Sequence, residues 1–433
     1  MLKLKTIYIC SKCNTQSPKW LGQCPQCQAW NSLMEDVINI GKEELEIPSA
    51  KIKEIFNLKT GDFENERLKT KIDEFDLVLG GGFVKDSLTL FSGEPGIGKS
   101  TLTLQICKNL CDQGKNILYI SGEESIEQIS MRAKRLQIKN QNLKLINSTN
   151  LESILATLKG LKFDFIVIDS IQVVQSDLIP GLAGSISQVR YCAEQLLNFA
   201  KNEKITILLI GHVTKDGDLA GPKTLEHLVD IVLNLEGDRY HEFRMLKSSK
   251  NRFGSCSEIG IFEMTNEGLK EVLNPSSKFI ESRQKNAVGS CLSVAIEGNR
   301  SFIIEVQALT NITAFGYPKR TASGFDVNRL NLLIAVLQKH ADINLSNQDV
   351  YINIVGGLKV KDPAIDLAVC LSIISSFKKS PLPENLVAIG EIGLCGEVRK
   401  VNQKEKREKE VKKMNLKIIE EMKGIEEYRR KLI

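Results

Sequence analysis

The chain contains 433 residues, of which 42% are hydrophobic and 26% charged, and this composition predicts an ordinary soluble globular protein with about two to four domains. Its 58 basic and 53 acidic residues give a net charge of +5, which by itself gives no evidence for nucleic-acid binding. No run approaches the ~18 apolar residues of a transmembrane helix, and the first ten residues lack a secretory signal, so we expect a cytoplasmic protein without a membrane partner.

Two Cys-x-x-Cys pairs lie close together at the start of the chain. They consist of Cys10 with Cys13 and Cys24 with Cys27. Each pair can place two thiolates on one tetrahedral ion, and four cysteine ligands leave no open coordination position. Residues 1–32 are too few to bury a stable core, so metal would supply most of their folding free energy. We predict a structural Zn²⁺ ribbon, and we expect the other seven cysteines in the core.

The sequence pattern divides the remaining chain into a linker and two larger domains. Residues 33–62 lack a strong period and are interpreted as a linker with short structure. Residues 63–272 alternate short apolar runs with amphipathic stretches, which predicts a doubly wound α/β domain. Asn-Pro-Ser-Ser at 274–277 marks a boundary. Residues 278–433 mix strand-like and helical runs, which indicates a C-terminal α+β domain.

A complete phosphate-binding motif follows the first apolar run of the α/β domain. The run SLTLFS leads into GEPGIGKST, which opens a helical stretch. The residues of the motif are Gly93, Glu94, Pro95, Gly96, Ile97, Gly98, Lys99, Ser100 and Thr101. The glycines let backbone N–H groups point at phosphate oxygens, Lys99 supplies a charge to the β- and γ-phosphates, and Ser100 is placed to hold Mg²⁺. The motif therefore predicts a nucleoside triphosphate site that uses Mg²⁺.

Three further strand ends carry polar residues that suit nucleotide hydrolysis. Asp169 ends the run FIVID, from which a carboxylate can reach Mg²⁺ through water. Glu123 and Glu124 follow the run ILYIS, where a carboxylate can orient and deprotonate the attacking water, and we slightly favour Glu123. His212 ends the run ITILLIGH and is interpreted as a sensor of the γ-phosphate. The alternatives are solvated loop acids and an ordinary loop histidine.

Together these motifs resemble the bacterial RadA (Sms) family of RecA-related DNA repair and recombination proteins. The resemblance rests on the cysteine ribbon, LGGG at 79–82, the phosphate loop, SGEES, IDSIQ, GHVTKDGDLAGPKTLEHLVD and KNRFG at 250–254, and it covers nearly the whole chain. It implies a RecA-like P-loop core and a DNA-dependent ATPase that uses ATP and forms a homo-oligomeric ring, a hexamer. The family binds single-stranded DNA and branched recombination intermediates, and acts as a helicase that promotes branch migration alongside a RecA-type recombinase.

From the same resemblance, Lys250 and Arg252 of KNRFG take a role in ATP and DNA handling. A cation delivered across a subunit boundary stabilises transition-state charge, as an arginine finger does. Without the resemblance, a solvated basic turn would explain the motif equally well. Two Gly-containing segments that follow strands, 176–187 and 214–224, are expected to contact DNA.

The last third of the chain resembles the proteolytic domain of Lon. Lon proteases use a Ser–Lys dyad, but here Ala364 follows Pro363 where the serine would stand. Glu405 aligns with the lysine, between Lys404 and Lys406. Because alanine cannot act as a nucleophile, we interpret this domain as a non-proteolytic scaffold that helps to build the ring and carries DNA-facing basic residues.

Two other functions compete with a DNA motor. One is an ATP-dependent protease of the Lon type, against which Ala364 counts. The other is a KaiC-like switch ATPase, which the zinc ribbon and the lack of a second phosphate loop disfavour.

The end of the chain also departs from the family, because after about residue 413 a further strand and closing helix are usual. Here the sequence from 401 is lysine- and glutamate-rich, and it predicts a solvated helix.

Overall fold

A computed structural model describes residues 4–13, 15–39, 67–212, 222–237, 243–281, 283–314, 316–357 and 359–432. The chain divides into two compact units, Met1–Gly61 and Asp62–Ile433. Residues 40–62 of the predicted linker and 214–221 of the second predicted DNA segment lie outside the described residues. Within the described part of the chain, no helix has the length and apolar character needed to cross a membrane.

The first unit contains a three-stranded antiparallel sheet. Its strands are β1 (Leu4–Cys10), β2 (Gln16–Ser17) and β3 (Leu33–Asn39), in the order β2-β1-β3. β3 pairs with β1 along its whole length, from Leu4 opposite Asn39 to Cys10 opposite Leu33. The ribbon therefore extends past residue 32 into the segment interpreted as a linker. Pairing with a strand about 30 residues earlier in the chain forms β3, and local periodicity does not reveal such a partner.

A nine-stranded sheet forms the centre of the second unit. Its strands are β4 (Leu88–Gly93), β5 (Ile117–Ser121), β6 (Leu143–Asn147), β7 (Phe165–Asp169), β8 (Thr206–His212), β9 (Ile231–Glu236), β10 (Phe243–Asn251), β11 (Ile259–Thr265) and β12 (Gly268–Glu271). Their order is β12-β11-β10-β9-β4-β8-β7-β5-β6. The strands from β9 to β6 in this order are parallel, whereas β10, β11 and β12 extend the sheet in antiparallel fashion.

Helices cover both faces of the parallel strands. They are α1 (Asp73–Leu79), α2 (Lys99–Asp112), α3 (Ile126–Arg135), α4 (Leu151–Leu158), α5 (Ile186–Glu203) and the short α6 (Pro222–Leu225). Alternate residues of a strand point to opposite faces. Thus Val167 packs in the core beneath α1, α2 and α3, while Ile166 and Ile168 pack beneath α4 and α5. This two-sided burial explains the continuous apolar runs and confirms the α/β class with a P-loop core.

The C-terminal part of the second unit combines helices with a six-stranded sheet and a separate pair of short strands. Its helices are α7 (Pro275–Glu281), α8 (Val327–His340), α9 (Asp366–Lys378), α10 (Lys404–Lys413) and α11 (Ile425–Leu432). Its strands are β13 (Ser290–Glu297), β14 (Arg300–Ile312), β15 (Arg320–Ser323), β16 (Gln348–Ile354), β17 (Leu386–Val387), β18 (Glu391–Ile392), β19 (Val398–Arg399) and β20 (Lys417–Ile418). The sheet order is β15-β16-β14-β13-β17-β20, and β18 pairs with β19.

One hydrophobic core joins the antiparallel extension to the C-terminal part. Met245 and Ile261 are buried in the same cluster as Phe279 and Phe302. The ring of Phe243 lies 4.9 Å from that of Phe279 at 77°. The boundary predicted near residues 272–278 therefore lies within a compact unit, since side chains from both of its sides share this core.

The end of the chain packs more closely than its composition predicted. Val411, Ile425 and Tyr428 are buried, and β20 supplies an edge strand of the six-stranded sheet. Arg407 is also buried and donates to the Val294 carbonyl at 2.5 Å. The expected helix is present as α10 and is largely exposed, but the tail as a whole is not solvated, because one apolar face of each short charged helix packs against the domain. The strand and closing helix usual in the family are also present, as β20 and α11.

The cysteines outside the ribbon divide between core and surface. Cys107, Cys111, Cys192, Cys291 and Cys370 are buried, as predicted. The remaining two, Cys256 and Cys395, are exposed, so the expectation of a core position was wrong for them.

Candidate nucleotide and metal sites

The four ribbon cysteines converge on one point. All of their Sγ atoms lie within 4.8 Å of one another, with Cys10 to Cys27 at 3.5 Å and Cys13 to Cys24 at 3.6 Å. Tetrahedral Zn²⁺ with bonds of about 2.3 Å requires sulfur atoms about 3.8 Å apart, so the thiols fit this ion. Four cysteines leave no open position on such an ion, so these residues would hold Zn²⁺ in a structural site.

The phosphate loop connects the end of β4 to the start of α2. Gly98 adopts φ +115°, and a Cβ there would approach Leu269 Cδ1 and Met264 Cε at 2.8 Å. Glu94, Pro95 and Gly96 are exposed at the tip, whereas Ile97 is buried. Ser100 and Thr101 lie in the first turn of α2, where backbone N–H groups have no partner within the helix. The loop thus presents N–H donors to an anion.

Lys99 is buried beneath this loop. Its Nζ donates to the Gly93 carbonyl at 2.8 Å and the Glu94 carbonyl at 3.1 Å, and it lies 3.1 Å from Nδ1 of His212. Burial lowers the pKa of Lys99 to about 8, although the nearby Asp169 and Glu123 carboxylates oppose this shift. Lys99 is therefore a desolvated cation held by backbone oxygens.

His212 links Lys99 to Glu123. Its Nε2 lies 3.2 Å from the Glu123 carboxylate, which also accepts a hydrogen bond from the Ser170 hydroxyl. An ammonium group can only donate, so Nδ1 accepts from Lys99 and the ring proton belongs on Nε2, which donates to Glu123. The hydrogen bond from His212 is the largest cause that lowers the pKa of Glu123. Glu123 is therefore ionised at neutral pH.

Asp169 lies at the end of β7, in a more buried position than Glu123. Its Oδ2 accepts a hydrogen bond from the Tyr119 hydroxyl at 2.5 Å, and the Ser100 hydroxyl lies near the carboxyl. Burial raises the pKa of Asp169, and these two donors oppose the shift. Two oxygen ligands, a carboxylate and a hydroxyl, suit Mg²⁺. Asp169 and Ser100 are thus the residues that would hold it.

Glu124 is directed away from this cluster. Its two carboxylate oxygens accept from the two terminal nitrogens of Arg132 on α3, each at 2.7 Å. Such a bidentate pair fixes both oxygens. Of the two adjacent glutamates, only Glu123 contacts His212 among the described residues.

The sheet topology brings the predicted nucleotide residues together. Lys99, Glu123, Asp169 and His212 follow or end the neighbouring strands β4, β5, β7 and β8, whose carboxyl ends share one edge. Sequence reasoning missed Tyr119, Ser170 and Arg132, which contact these residues. Among the four apolar runs of the parallel strands β4, β5, β7 and β8, Tyr119 is the one tyrosine, but nothing in the run itself distinguishes it from an ordinary core residue.

Lys250 and Arg252 lie at the opposite end of the parallel strands. Asn251 pairs with Ile231, which in turn pairs with Thr89, whereas the phosphate loop begins at Gly93. Along β4, Thr89 and Gly93 are four residues apart, so KNRFG and the phosphate loop are separated by about 13 Å along the strand direction. Within one chain, therefore, the structure does not bring Lys250 or Arg252 to Glu123.

Both KNRFG cations contact groups of their own chain. Lys250 Nζ donates to the carbonyls of Glu226 at 2.5 Å and Val229 at 2.8 Å. Arg252 pairs with Asp230 at 3.2 Å and remains 49% exposed. Burial lowers the pKa of Lys250.

Arg67 fixes the KNRFG turn to the glycine-rich segment before β4. Its guanidinium donates to the carbonyls of Leu79, Gly82 and Phe253 at 3.1, 3.2 and 2.9 Å. Asn251 Nδ2 donates to the same Leu79 carbonyl at 3.2 Å. These hydrogen bonds hold the turn in place, so it is not simply a solvated loop.

The C-terminal part has no nucleophile at the position that Lon proteases use. Ala364 is fully buried in a 3₁₀ turn, and its N–H donates to Asp362 at 3.0 Å. Asp362 pairs with the buried Arg407 at 2.8 Å. Glu405 lies in the first turn of α10, and the neighbouring Lys404 pairs with Glu421.

The first predicted DNA segment, 176–187, lies between β7 and α5. Its backbone is anchored by Gln188, whose Nε2 donates to the carbonyls of Ser176 and Ile179 at 3.0 and 2.9 Å. Leu178 and Leu182 are 71% and 84% exposed. The segment thus has a fixed base and an apolar exposed surface.

Comparison with known proteins places the chain in a family. A family model described as an AAA domain matches residues 53–218, and one described as a rubredoxin metal binding domain matches residues 8–35. Proteins named DNA repair protein RadA are similar over most of their length. The Bacillus subtilis protein is 46% identical over 428 residues, covering 96% of this chain and 92% of its own. The protein of Streptococcus pyogenes serotype M1 is 47% identical over 421 residues, covering 96% of this chain and 92% of its own. That of Rickettsia conorii is 48% identical over 413 residues, covering 95% of this chain and 92% of its own.

The chain belongs to the RadA family of DNA repair proteins.

Membership of the RadA family agrees with the ribbon and with the nucleotide site of the described structure. The rubredoxin-type match contains the four ribbon cysteines, and the AAA match contains the phosphate loop, Glu123, Asp169 and His212. The resemblance inferred from the sequence motifs is thereby confirmed at the level of the family, as is the zinc ribbon.

Proposed function

We propose that this RadA-family chain is a DNA-dependent ATPase and helicase that promotes branch migration of recombination intermediates. The observation that carries the proposal is the cluster of Lys99, Glu123, Asp169 and His212 at one edge of the parallel sheet, beside the phosphate loop. A cation for the phosphates, a carboxylate for the metal and a second carboxylate that can act on water are the groups that hydrolysis of a nucleoside triphosphate uses.

ATP is the proposed substrate of this site. The N–H groups of the phosphate loop and the Lys99 ammonium bind its phosphates, while Asp169 and Ser100 hold Mg²⁺. When bound, Mg²⁺ neutralises charge on the phosphate oxygens. Lys99 is already desolvated, so its charge acts on a phosphate in a dry site, where electrostatic interactions are stronger than in water.

Glu123 is the proposed general base. It is ionised, and His212 and Ser170 hold its carboxylate by hydrogen bonds. A fixed carboxylate can orient a water molecule and accept its proton. Glu124 is engaged by Arg132, which supports Glu123 in this role.

His212 is the proposed sensor of the γ-phosphate. In the structure, His212 accepts a hydrogen bond from Lys99 and donates one to Glu123. A phosphate that takes over the Lys99 ammonium frees Nδ1 of His212, and the change passes through the same ring to Glu123. β8 ends at His212, so this signal starts at the base of the segment that begins with Val213.

Lys250 and Arg252 are proposed to couple ATP hydrolysis to DNA movement in a homo-oligomeric ring, a hexamer. Lys250 acts on the ATP of a neighbouring subunit, and the exposed Arg252 binds phosphate of DNA or nucleotide. Their distance from the phosphate loop of their own chain supports this arrangement, because it leaves them at the opposite end of the sheet. A cation from a neighbour stabilises transition-state charge and couples turnover to the movement of subunits.

Single-stranded DNA and branched recombination intermediates are the proposed DNA substrates, and a RecA-type recombinase is the proposed partner. The support for DNA is the name that the relatives share, DNA repair protein RadA. Segment 176–187, with its exposed Leu178 and Leu182, is proposed to contact bases, while lysines and arginines contact phosphates. The buried Ala364 argues against a Lon-type protease, because it offers no hydroxyl.

ATP hydrolysis measured with and without single-stranded DNA tests the proposal. We expect DNA to stimulate turnover, and we expect the protein to extend a branched three-strand intermediate only when ATP is present. An Asp169→Asn variant serves as the negative control. ATP hydrolysis that DNA leaves unchanged would favour a KaiC-like switch, and degradation of casein would favour the protease.

A further inference from the structure

The buried hydroxyl of Tyr119 contacts the nucleotide site, although no motif includes it. We propose that Tyr119 is a positioning residue that fixes the Asp169 carboxylate for Mg²⁺. This inference rests on the proposed function, because it concerns the residues that would hold the metal.

The strand register explains why these two side chains meet. β5 and β7 are parallel neighbours, with Tyr119 beside Val167 and Ser121 beside Asp169. Tyr119 and Val167 face the α2 side of the sheet, and Asp169, two residues further, points to the same side. The Tyr119 ring therefore extends along the sheet surface toward the end of β7, and its hydroxyl reaches Asp169 Oδ2 at 2.5 Å.

The contact excludes solvent. Tyr119 is 1% and Asp169 6% exposed, so water has little access to Oδ2 in place of the phenol. A buried carboxylate oxygen without a donor is unfavourable, and a donor from a rigid strand fixes its orientation. The phenol thus restricts rotation of the carboxyl group about its Cβ–Cγ bond.

The expected consequence is a preorganised oxygen for the metal. With Oδ2 bound to the phenol, Oδ1 is the oxygen left to bind the metal. Groups that hydrogen-bond to metal-binding side chains typically change metal affinity about 10- to 100-fold when they are removed. Tyr119 would therefore affect the affinity for Mg²⁺ and leave the affinity for the nucleotide alone unchanged.

The test compares Tyr119→Phe with Tyr428→Phe. Tyr428 is a matched control, because it is also buried and its hydroxyl accepts a hydrogen bond from Met422 N, but it lies in the C-terminal part. Binding of a fluorescent ADP analogue is titrated with Mg²⁺ and is also measured in EDTA. We expect Tyr119→Phe to raise the half-saturating Mg²⁺ concentration about tenfold and to leave affinity in EDTA unchanged. Tyr428→Phe should match the parent protein in both measurements.

A double-mutant cycle with Asp169→Asn makes the test specific. In the Asp169→Asn background, Tyr119→Phe should produce no further change in the Mg²⁺ titration. A parental Mg²⁺ titration for Tyr119→Phe, or an equal loss of affinity in EDTA, would overturn the inference. Nucleotide binding by the parent that does not depend on Mg²⁺ would overturn the proposed metal site itself, and the inference with it.

Discussion

The two ends of the parallel strands carry different kinds of polar contacts. At the carboxyl end, Lys99, His212 and Glu123 contact one another through their side chains. At the amino end, Lys250 and Arg67 mainly contact backbone carbonyls of their own chain. A ligand that bound one member of the first set would disturb its contact with the next, since the members contact one another directly. The second set shapes a turn and presents Arg252 at the surface.

The difference teaches that one chain holds only part of the proposed catalytic apparatus. The carboxyl end has the proposed base, the proposed phosphate cation and the proposed metal-binding carboxylate, but neither KNRFG cation reaches it. A ring in which the amino end of one subunit meets the carboxyl end of the next would complete the site.

Loss of the phosphate cation should have the largest effect. Lys99→Ala removes a buried charge from the carboxyl end, so both nucleotide binding and stabilisation of phosphate charge are lost. We expect ATP hydrolysis to fall by about 10⁴-fold or more. Steady-state phosphate release and equilibrium binding of an ATP analogue measure the two losses. Normal hydrolysis by the variant would show that the carboxyl end is not the ATP site.

The base should account for the next largest effect. Glu123→Gln keeps the shape of the side chain but cannot accept a proton, so hydrolysis should fall by about 10³-fold while ATP binding persists. Glu124→Gln is the matched control, and it should retain turnover within about tenfold, because it breaks only the pair with Arg132. Single-turnover hydrolysis distinguishes the two. The opposite ranking would transfer the role of base to Glu124.

The exposed cation of the amino end should have the smallest effect when measured by DNA binding. Arg252→Ala should weaken affinity for single-stranded DNA by about tenfold and reduce its salt dependence, because one phosphate contact is lost. Lys159→Ala removes an exposed cation beyond α4 and serves as the control. Fluorescence anisotropy over a range of salt concentrations measures both. Equal effects for the two variants would assign Arg252 no specific DNA contact.

The sequence predicts the carboxyl end of the sheet better than the amino end. Apolar runs that end in Asp169 or His212 are typical of buried parallel strands, and the ends of such strands share one edge. That geometry alone brings residues from distant parts of the chain together. Tyr119 was missed because it lies inside an apolar run, where a tyrosine is interpreted as an ordinary core residue.

The position of KNRFG required the structure. It depends on the pairing of antiparallel β10 with β9, and such pairing is a long-range contact that periodicity does not specify. The same limitation applies to β3 and to the end of the chain. In both regions, pairing or one-sided burial organises residues whose local composition indicates a linker or a solvated helix.

Mixed rings test the central claim that the two ends act together across a subunit boundary. Lys99→Ala and Lys250→Ala subunits, each inactive alone, are combined in equal amounts and allowed to exchange. A boundary with an intact Lys99 on one side and an intact Lys250 on the other occurs at about one quarter of positions. A parallel mixture of parent with Lys99→Ala shows whether boundaries turn over independently. If they do, the account predicts recovery of ATP hydrolysis to about a quarter of the parental rate. No recovery in such rings would contradict it and place Lys250 within the site of its own subunit.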